Sequence, residues 1–166
     1  MTELREYNTE FAKAFSLYRN NSAILNNGYD KVPNPYTLDD ALQFFQIQMS
    51  KKPTERFLIF WNEELAGEIG IEIKSDVFRM VAEIGYFIAE PFWHKGIATK
   101  AIGLMTDYAF STFNIVRLEA GVFEFNTPSM KALEKNGYHL ESVRKKAILK
   151  NGKIMDDFIY VRLREV

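Results

Sequence analysis

Ala82–Thr112, AEIGYFIAEPFWHKGIATKAIGLMTDYAFST, reads as a strand, a tight basic loop and a helix. The strand is Met80 to Ile88, rich in Val, Ile, Tyr and Phe. Gly85 inside it suggests a bulge or a close approach of another chain segment. Pro91 cannot donate to a ladder, so the strand ends before it. The helix runs from about Ile97 to Thr112, with Ile97, Ala101, Met105, Tyr108 and Ala109 on one face at helical spacing. Between strand and helix, Gly96 has no Cβ and lets a ligand come close to the backbone. The first N–H groups of the helix point into the same loop, and the helix dipole adds partial positive charge there. Residues His94, Lys95, Gly96, Ile97, Ala98 and Thr99 therefore form a backbone cradle for an anion, foremost a phosphate.

Read from the N-terminus, the elements run α α β β β α β α β β. Residues 1–7 hold at most a short strand. Asn8 or Thr9 can cap a helix on which Phe11, Ala14, Phe15 and Tyr18 repeat at three and four. The run Asn20–Tyr36, NNSAILNNGYDKVPNPY, breaks that pattern with Asn-Gly and two X-Pro steps. It reads as a long loop of the kind that often carries function, and acceptor choice is expected there, with Tyr29 and Tyr36. Thr37 with Asp40 resembles a capping box and opens a helix to about Met49. Arg56–Trp61 is a strand, Asn62-Glu63-Glu64 a turn, and Leu65–Lys74 an alternating, half-buried strand. Downstream of the long helix comes a strand over Val116–Val122. A short helix follows, with Thr127 as N-cap, Pro128 at its first position, Met130 and Leu133 inward and Asn136-Gly137 as its stop. Tyr138–Leu149 and Ile154–Leu163 form a hairpin around Asn151-Gly152. A mixed sheet with helices on both faces accommodates this order.

Composition narrows the function. The 166 residues are 47% hydrophobic and 14% aromatic, enough for one folded domain spanning 1–166. A formal net charge of −1 argues against a nucleic-acid partner, since such domains carry a basic excess. With no cysteine, disulfides, thiolate metal sites and cysteine nucleophiles are excluded. With His94 and His139 as the two histidines, no zinc site is expected. The polar, acidic start MTELREYNTE does not read as a signal peptide. No apolar run approaches the ~20 residues that a membrane span needs. The expectation is a cytoplasmic protein with no membrane partner.

The loop resembles the acetyl-CoA pyrophosphate loop of the GNAT superfamily of N-acetyltransferases. There a Gln or Arg is followed, two residues on, by Gly-x-Gly/Ala, and Gly96-Ile97-Ala98 supplies the second half. Trp93 stands at the first position, which fits the Rim-type branch of ribosomal-protein N-terminal acetyltransferases. In that branch His94 would be Gly; at φ > 0 a His is tolerated less well than Gly. A second resemblance lies one helix and one strand later. Asn126-Thr127-Pro128-Ser129, then Leu133-Glu134-Lys135-Asn136-Gly137-Tyr138, is similar to that branch's Asn-x-x-Ser and Leu-Glu-Lys-x-Gly-aromatic.

The resemblance covers residues 55–163 and implies an α/β (α+β) GNAT fold. That fold is a mixed, mostly antiparallel central sheet of six to seven strands with helices on both faces. It implies an acetyl-CoA-dependent N-acetyltransferase, with acetyl-CoA as co-substrate and no metal. Cofactor contacts fall on Phe87, Ile88 and Ala89, on His94 to Thr99, and on Asn126 and Ser129. The tyrosine acid that many members carry seven residues after the Asn is replaced by Leu133, which leaves Ser129 as the nearest hydroxyl to the sulfur. Glu83 on the central strand is the candidate base, with Glu68 and Glu72 as rivals. Transfer would be direct, from thioester to amine, with a backbone N–H near Phe87 or Ile88 facing the oxyanion. The favoured acceptor is a protein N-terminal α-amine. A small amine, or a non-catalytic CoA-binding module, is the alternative. Monomer and homodimer both remain open.

Overall fold

A computed structural model describes residues 1–165. The strands are β1 (Thr2–Arg5), β2 (Arg56–Trp61), β3 (Glu64–Ile73), β4 (Val81–Ile88), β5 (Arg117–Phe123), β6 (His139–Lys150) and β7 (Lys153–Leu163). They form one seven-stranded sheet in the order β1-β2-β3-β4-β5-β7-β6. The pairs β1–β2, β2–β3, β5–β7 and β6–β7 are antiparallel, and β4–β5 is parallel. The helices are α1 (Ala12–Arg19), α2 (Ser22–Asn26), α3 (Leu38–Ser50), α4 (Ile97–Thr112) and α5 (Thr127–Glu134). The chain divides into two compact units.

The first unit comprises Met1–Gly70 and Tyr86–Ile97. Its core is aromatic: Tyr7, Phe15, Tyr36, Phe45 and Phe60 are buried together with Leu58 and Leu65. Tyr7 and Phe15 meet Phe45 edge-on, with ring centroids 4.7 and 5.1 Å apart, the arrangement that ring quadrupoles favour. α3 starts as the sequence suggests. Thr37 Oγ1 accepts from the Asp40 N–H, and the Asp40 carboxylate accepts from the Thr37 N–H. The run Asn20–Tyr36 is not all loop. α2 forms inside it because the Asn21 side chain caps the Ala23 N–H and Ile24 finds a buried site.

β3 departs from the half-buried expectation, since Leu65 through Ile71 are all buried. The face expected to meet water is covered instead. A Cβ on Gly70 would sit 2.3 Å from Arg56 Cγ, and Glu68 is enclosed by cationic partners. The close approach expected at Gly85 lies at Gly67. A Cβ there would fall 2.1 Å from the Phe87 carbonyl oxygen, whereas one on Gly85 would meet no protein atom within 4 Å. Only glycine permits that β3 contact with the end of β4.

The second unit comprises Ile71–Gly85 and the chain from Ala98 onward. α4 buries Ala101, Ile102, Met105, Thr106 and Ala109, close to the stripe that its periodicity predicts. α5 begins one residue earlier than expected. Asn126, not Thr127, is the N-cap, and its Oδ1 accepts from the Ser129 N–H at 3.4 Å. Ala132 and Leu133 are buried, and Met130 is half-buried. Gly137, at φ +76°, follows the helix. Asn151 and Gly152, at φ +50° and +74°, make the hairpin turn between β6 and β7. Two positive φ values fit a type I′ turn, whose twist matches the flanking strands.

Candidate active site

The loop after β4 is held by its aromatic residues. Trp93 Nε1 donates to the Ile88 carbonyl at 2.7 Å, and this bond folds the chain back on the end of the strand. Phe92 is buried, edge-on to Tyr18 and Trp61 at 6.4 and 6.2 Å. The Ala89 N–H donates to the Ala66 carbonyl at 2.7 Å, which ties the strand end to β3. Both aromatics are therefore anchors of the loop. Between these anchors and the buried Ile97, His94, Lys95 and Gly96 are exposed. His94 lies at φ +62° and Gly96 at φ +73°. Left-handed residues alternating along a loop turn successive N–H groups to one side. A Cβ on Gly96 would meet no protein atom within 4 Å. The space in front of this backbone is thus open for a ligand, at the N-terminus of a sixteen-residue helix. Lys95 Nζ rests 5.3 Å from the centre of the Trp61 ring.

Beside this strand end, in the same unit, lies a polar cluster that sequence reasoning missed. Glu68 Oε1 accepts from Arg19 Nη2 and Arg56 Nη2, each at 3.1 Å, and Oε2 accepts from the Tyr7 hydroxyl at 2.5 Å. The Glu68 side chain is 1% exposed. Burial alone would push this carboxyl up, but the two guanidiniums and the Tyr7 hydroxyl hold it below the ordinary range. Burial, with Glu68 alongside, pushes the Tyr7 hydroxyl well above its usual value. Arg19 also lies over Phe87, its Cζ 4.2 Å from the ring centre. Tyr36, pushed up to about 12 by burial, stands at the end of the Asn20–Tyr36 run. Asn20 clamps that run at both ends: its Oδ1 accepts from the Tyr36 N–H at 2.7 Å and its Nδ2 donates to the Tyr36 carbonyl at 2.6 Å. As a rival base Glu68 is thereby disfavoured, because an ion-paired, buried carboxylate binds a proton poorly. Glu72 is exposed.

In the second unit, Glu83 is half-buried on β4, and its Cα registers with Glu119 of β5. The parallel ladder spans Val81–Glu83 against Arg117–Glu119, while β4 runs on to Ile88. Burial pushes Glu119 up, but Lys74 and Arg117, each at 2.7 Å, hold it below its ordinary value. Ser129 is half-buried in the first turn of α5. Asn136 Nδ2 donates to the Thr99 carbonyl at 2.8 Å, which fixes the end of α5 against the first turn of α4. Tyr138 is buried, with its hydroxyl 2.8 Å from Thr106 Oγ1. No group of three His, Asp or Glu among the described residues could hold a metal. No helix among them is long and apolar enough to cross a membrane.

The seven-stranded mixed sheet with its helices is that of a GNAT acetyltransferase. The sequence model of the acetyltransferase (GNAT) domain matches residues 2–139, and the chain belongs to that family. It is 32% identical over 151 residues to a probable N-acetyltransferase, YjcK, of Bacillus subtilis, covering 90% of this chain and 78% of that one. It is 26% identical over 136 residues to the L-amino acid N-acetyltransferase AaaT of Escherichia coli, covering 81% of each. Among solved structures it resembles RimL, a ribosomal L7/L12 alpha-N-protein acetyltransferase in complex with coenzyme A. The TM-score is 0.83 and the identity 26%, over 98% of this chain and 93% of that one. The protein is an acetyl-CoA-dependent N-acetyltransferase.

Proposed function

We propose that this N-acetyltransferase, acting as a single domain, modifies a protein N-terminal α-amine. The reading rests on the likeness to RimL over 98% of the chain. The loop Trp93–Ile97, with left-handed backbone at His94 and Gly96, would take the diphosphate of acetyl-CoA on its N–H groups. Lys95 adds charge at its rim. Ala98 and Thr99 extend the cradle into α4. Phe87, Ile88 and Ala89 would run beside the pantetheine arm. Asn126 supports that arm with the amide group not used on the α5 cap.

Acetyl-CoA supplies an activated acetyl group on a thioester. Glu83 takes the proton of the attacking amine, directly or through one water. A backbone N–H near Phe87 or Ile88 faces the carbonyl oxygen as negative charge develops there. The new C–N bond forms as the C–S bond breaks, and Ser129 stands by the departing sulfur. The acid has little to do, because a thiol with a pKa near ~8.5 leaves readily as thiolate. The base has little to do for an α-amine near ~7.7–8.0 and more for a lysine near ~10.4. Holding amine and thioester together supplies much of the rate.

The likeness to AaaT favours a second reading, a free amino acid as acceptor. Release of CoA thiol over a panel of N-terminal peptides, free amino acids, lysine peptides and polyamines separates the readings. Peptide α-amines should give the highest kcat/KM, and preference for any other class would replace this reading. Glu83→Gln should lower kcat near neutral pH, towards the lower end of the ~10²–10⁴ that a positioned base contributes. The loss should shrink as pH rises. An unchanged pH profile removes Glu83 from the chemistry.

A further inference from the structure

Two guanidiniums and one carboxylate leave an excess positive charge at the end of β4. Each guanidinium brings five N–H donors, and among the described residues Glu68 is the carboxylate partner of both Arg19 and Arg56. Arg56 Nε is buried with no hydrogen-bond partner. The Tyr7 hydroxyl stays neutral and adds a donor, not a charge. A cation in so poorly solvated a place is stabilised by an anion more strongly than a surface cation is. Arg56 is packed under Gly70. Both side chains are largely buried, 16% exposed for Arg19 and 22% for Arg56, and Arg19 is the one that lies on the ring of Phe87, at the end of β4. The bond to Glu68 and the face of the Phe87 ring, 4.2 Å from Cζ, hold the guanidinium before anything binds.

We propose that Arg19 selects the acceptor, and that the acceptor carries a carboxylate close to its primary amine. This rests on the acetyl-transfer reading, which puts Phe87 beside the acetyl end of acetyl-CoA. Two sources offer the chemistry: a peptide with an acidic residue at or next to its N-terminus, and a free α-amino acid. A polyamine is the opposite case, because its extra cations would meet Arg19 with like charge.

The test uses the whole chain with acetyl-CoA and acceptors paired to differ only in that charge. One pair is an Asp-Ala-Ala-Ala peptide amide against its Asn counterpart; the other is L-alanine against L-alaninamide. Spermidine is the cationic control. A hydrogen-bonded charge should make kcat/KM about ten- to hundredfold higher for the acid in at least one pair, mainly through KM. Which pair responds identifies the source. Arg19→Gln should abolish the preference, the loss falling on the acid partner, and Arg19→Lys, which keeps the charge but not the fork, should restore part of it. Equal use of acid and amide by the unaltered protein overturns the inference but leaves acetyl transfer intact. So does a loss in Arg19→Gln that is equal for both partners, or spermidine as the best acceptor. If no primary amine is acetylated, both fall together.

Discussion

His94 and Gly96 both hold left-handed backbone in the proposed phosphate cradle, at φ +62° and +73°, but only glycine does so without a steric cost. For an L-residue that conformation costs about 1–2 kcal/mol. Replacing His94 with Gly should therefore stabilise the protein by up to about 1 kcal/mol, less what the more flexible unfolded chain regains. Urea denaturation would read the change, and a destabilised variant would mean that the imidazole holds the loop in a way its exposure does not suggest. Gly96 separates fold from binding. A Cβ there touches no protein atom, so Gly96→Val should cost the fold about 1–3 kcal/mol of backbone strain. The new side chain would nevertheless fill the space in front of the N–H groups. Calorimetric titration should find acetyl-CoA binding weakened by more than about tenfold, a loss of over 1.4 kcal/mol. Wild-type affinity in the valine variant would place the diphosphate elsewhere.

At the scale of elements, a single cap sets how α5 is presented. Asn126 Oδ1 takes the Ser129 N–H, so the residue expected to support the cofactor also shapes the turn that carries Ser129. Asn126→Ala should cost about 0.5–2 kcal/mol, as lost N-caps do, and lower kcat/KM as well. Asn126→Asp keeps the cap and should recover the stability. If alanine and aspartate melt alike, the cap contributes nothing. Local signals of this kind made most elements legible. α4 occupies Ile97–Thr112 as its periodicity states, the Thr37–Asp40 box opens α3, and Asn151-Gly152 turns the hairpin. The start of α5 slipped by one because Asn, Thr and Pro are adjacent and each is a credible helix opener. α2 was hidden because five residues with one buried Ile carry no periodicity. Gly67 and Gly85 look alike in sequence, and only the pairing of β3 with its neighbour decides which one is crowded.

At the scale of the whole molecule, the least legible feature is the one on which acid stability should depend. Glu68 meets Tyr7, Arg19 and Arg56 across sequence separations of 61, 49 and 12 residues, so nothing local marks it as more than one polar position in an alternating strand. Glu6, Asp40, Glu119, Glu141 and Asp156 are also held below their ordinary values by their partners. Those groups are partly or largely exposed, and water screens their pairs so that each adds little. Glu68 is the fully buried member. Its folded pKa lies below the ordinary 4.5, so its contribution is present above that value and is lost as pH falls through the folded pKa. Stability should therefore be level near neutral pH and fall steeply once the pH drops below about 4.5. Glu68→Gln leaves two buried guanidiniums without their anion and should cost about 3–5 kcal/mol at pH 7. The same change removes the proton-binding site, so the variant's stability should depend less on pH on the acid side. Chemical denaturation of both proteins from pH 7 down to pH 3 would test this. Parallel acid limbs in the two would assign acid sensitivity to the surface carboxylates instead, and a cost under about 1 kcal/mol at neutral pH would mean that water already reaches the cluster.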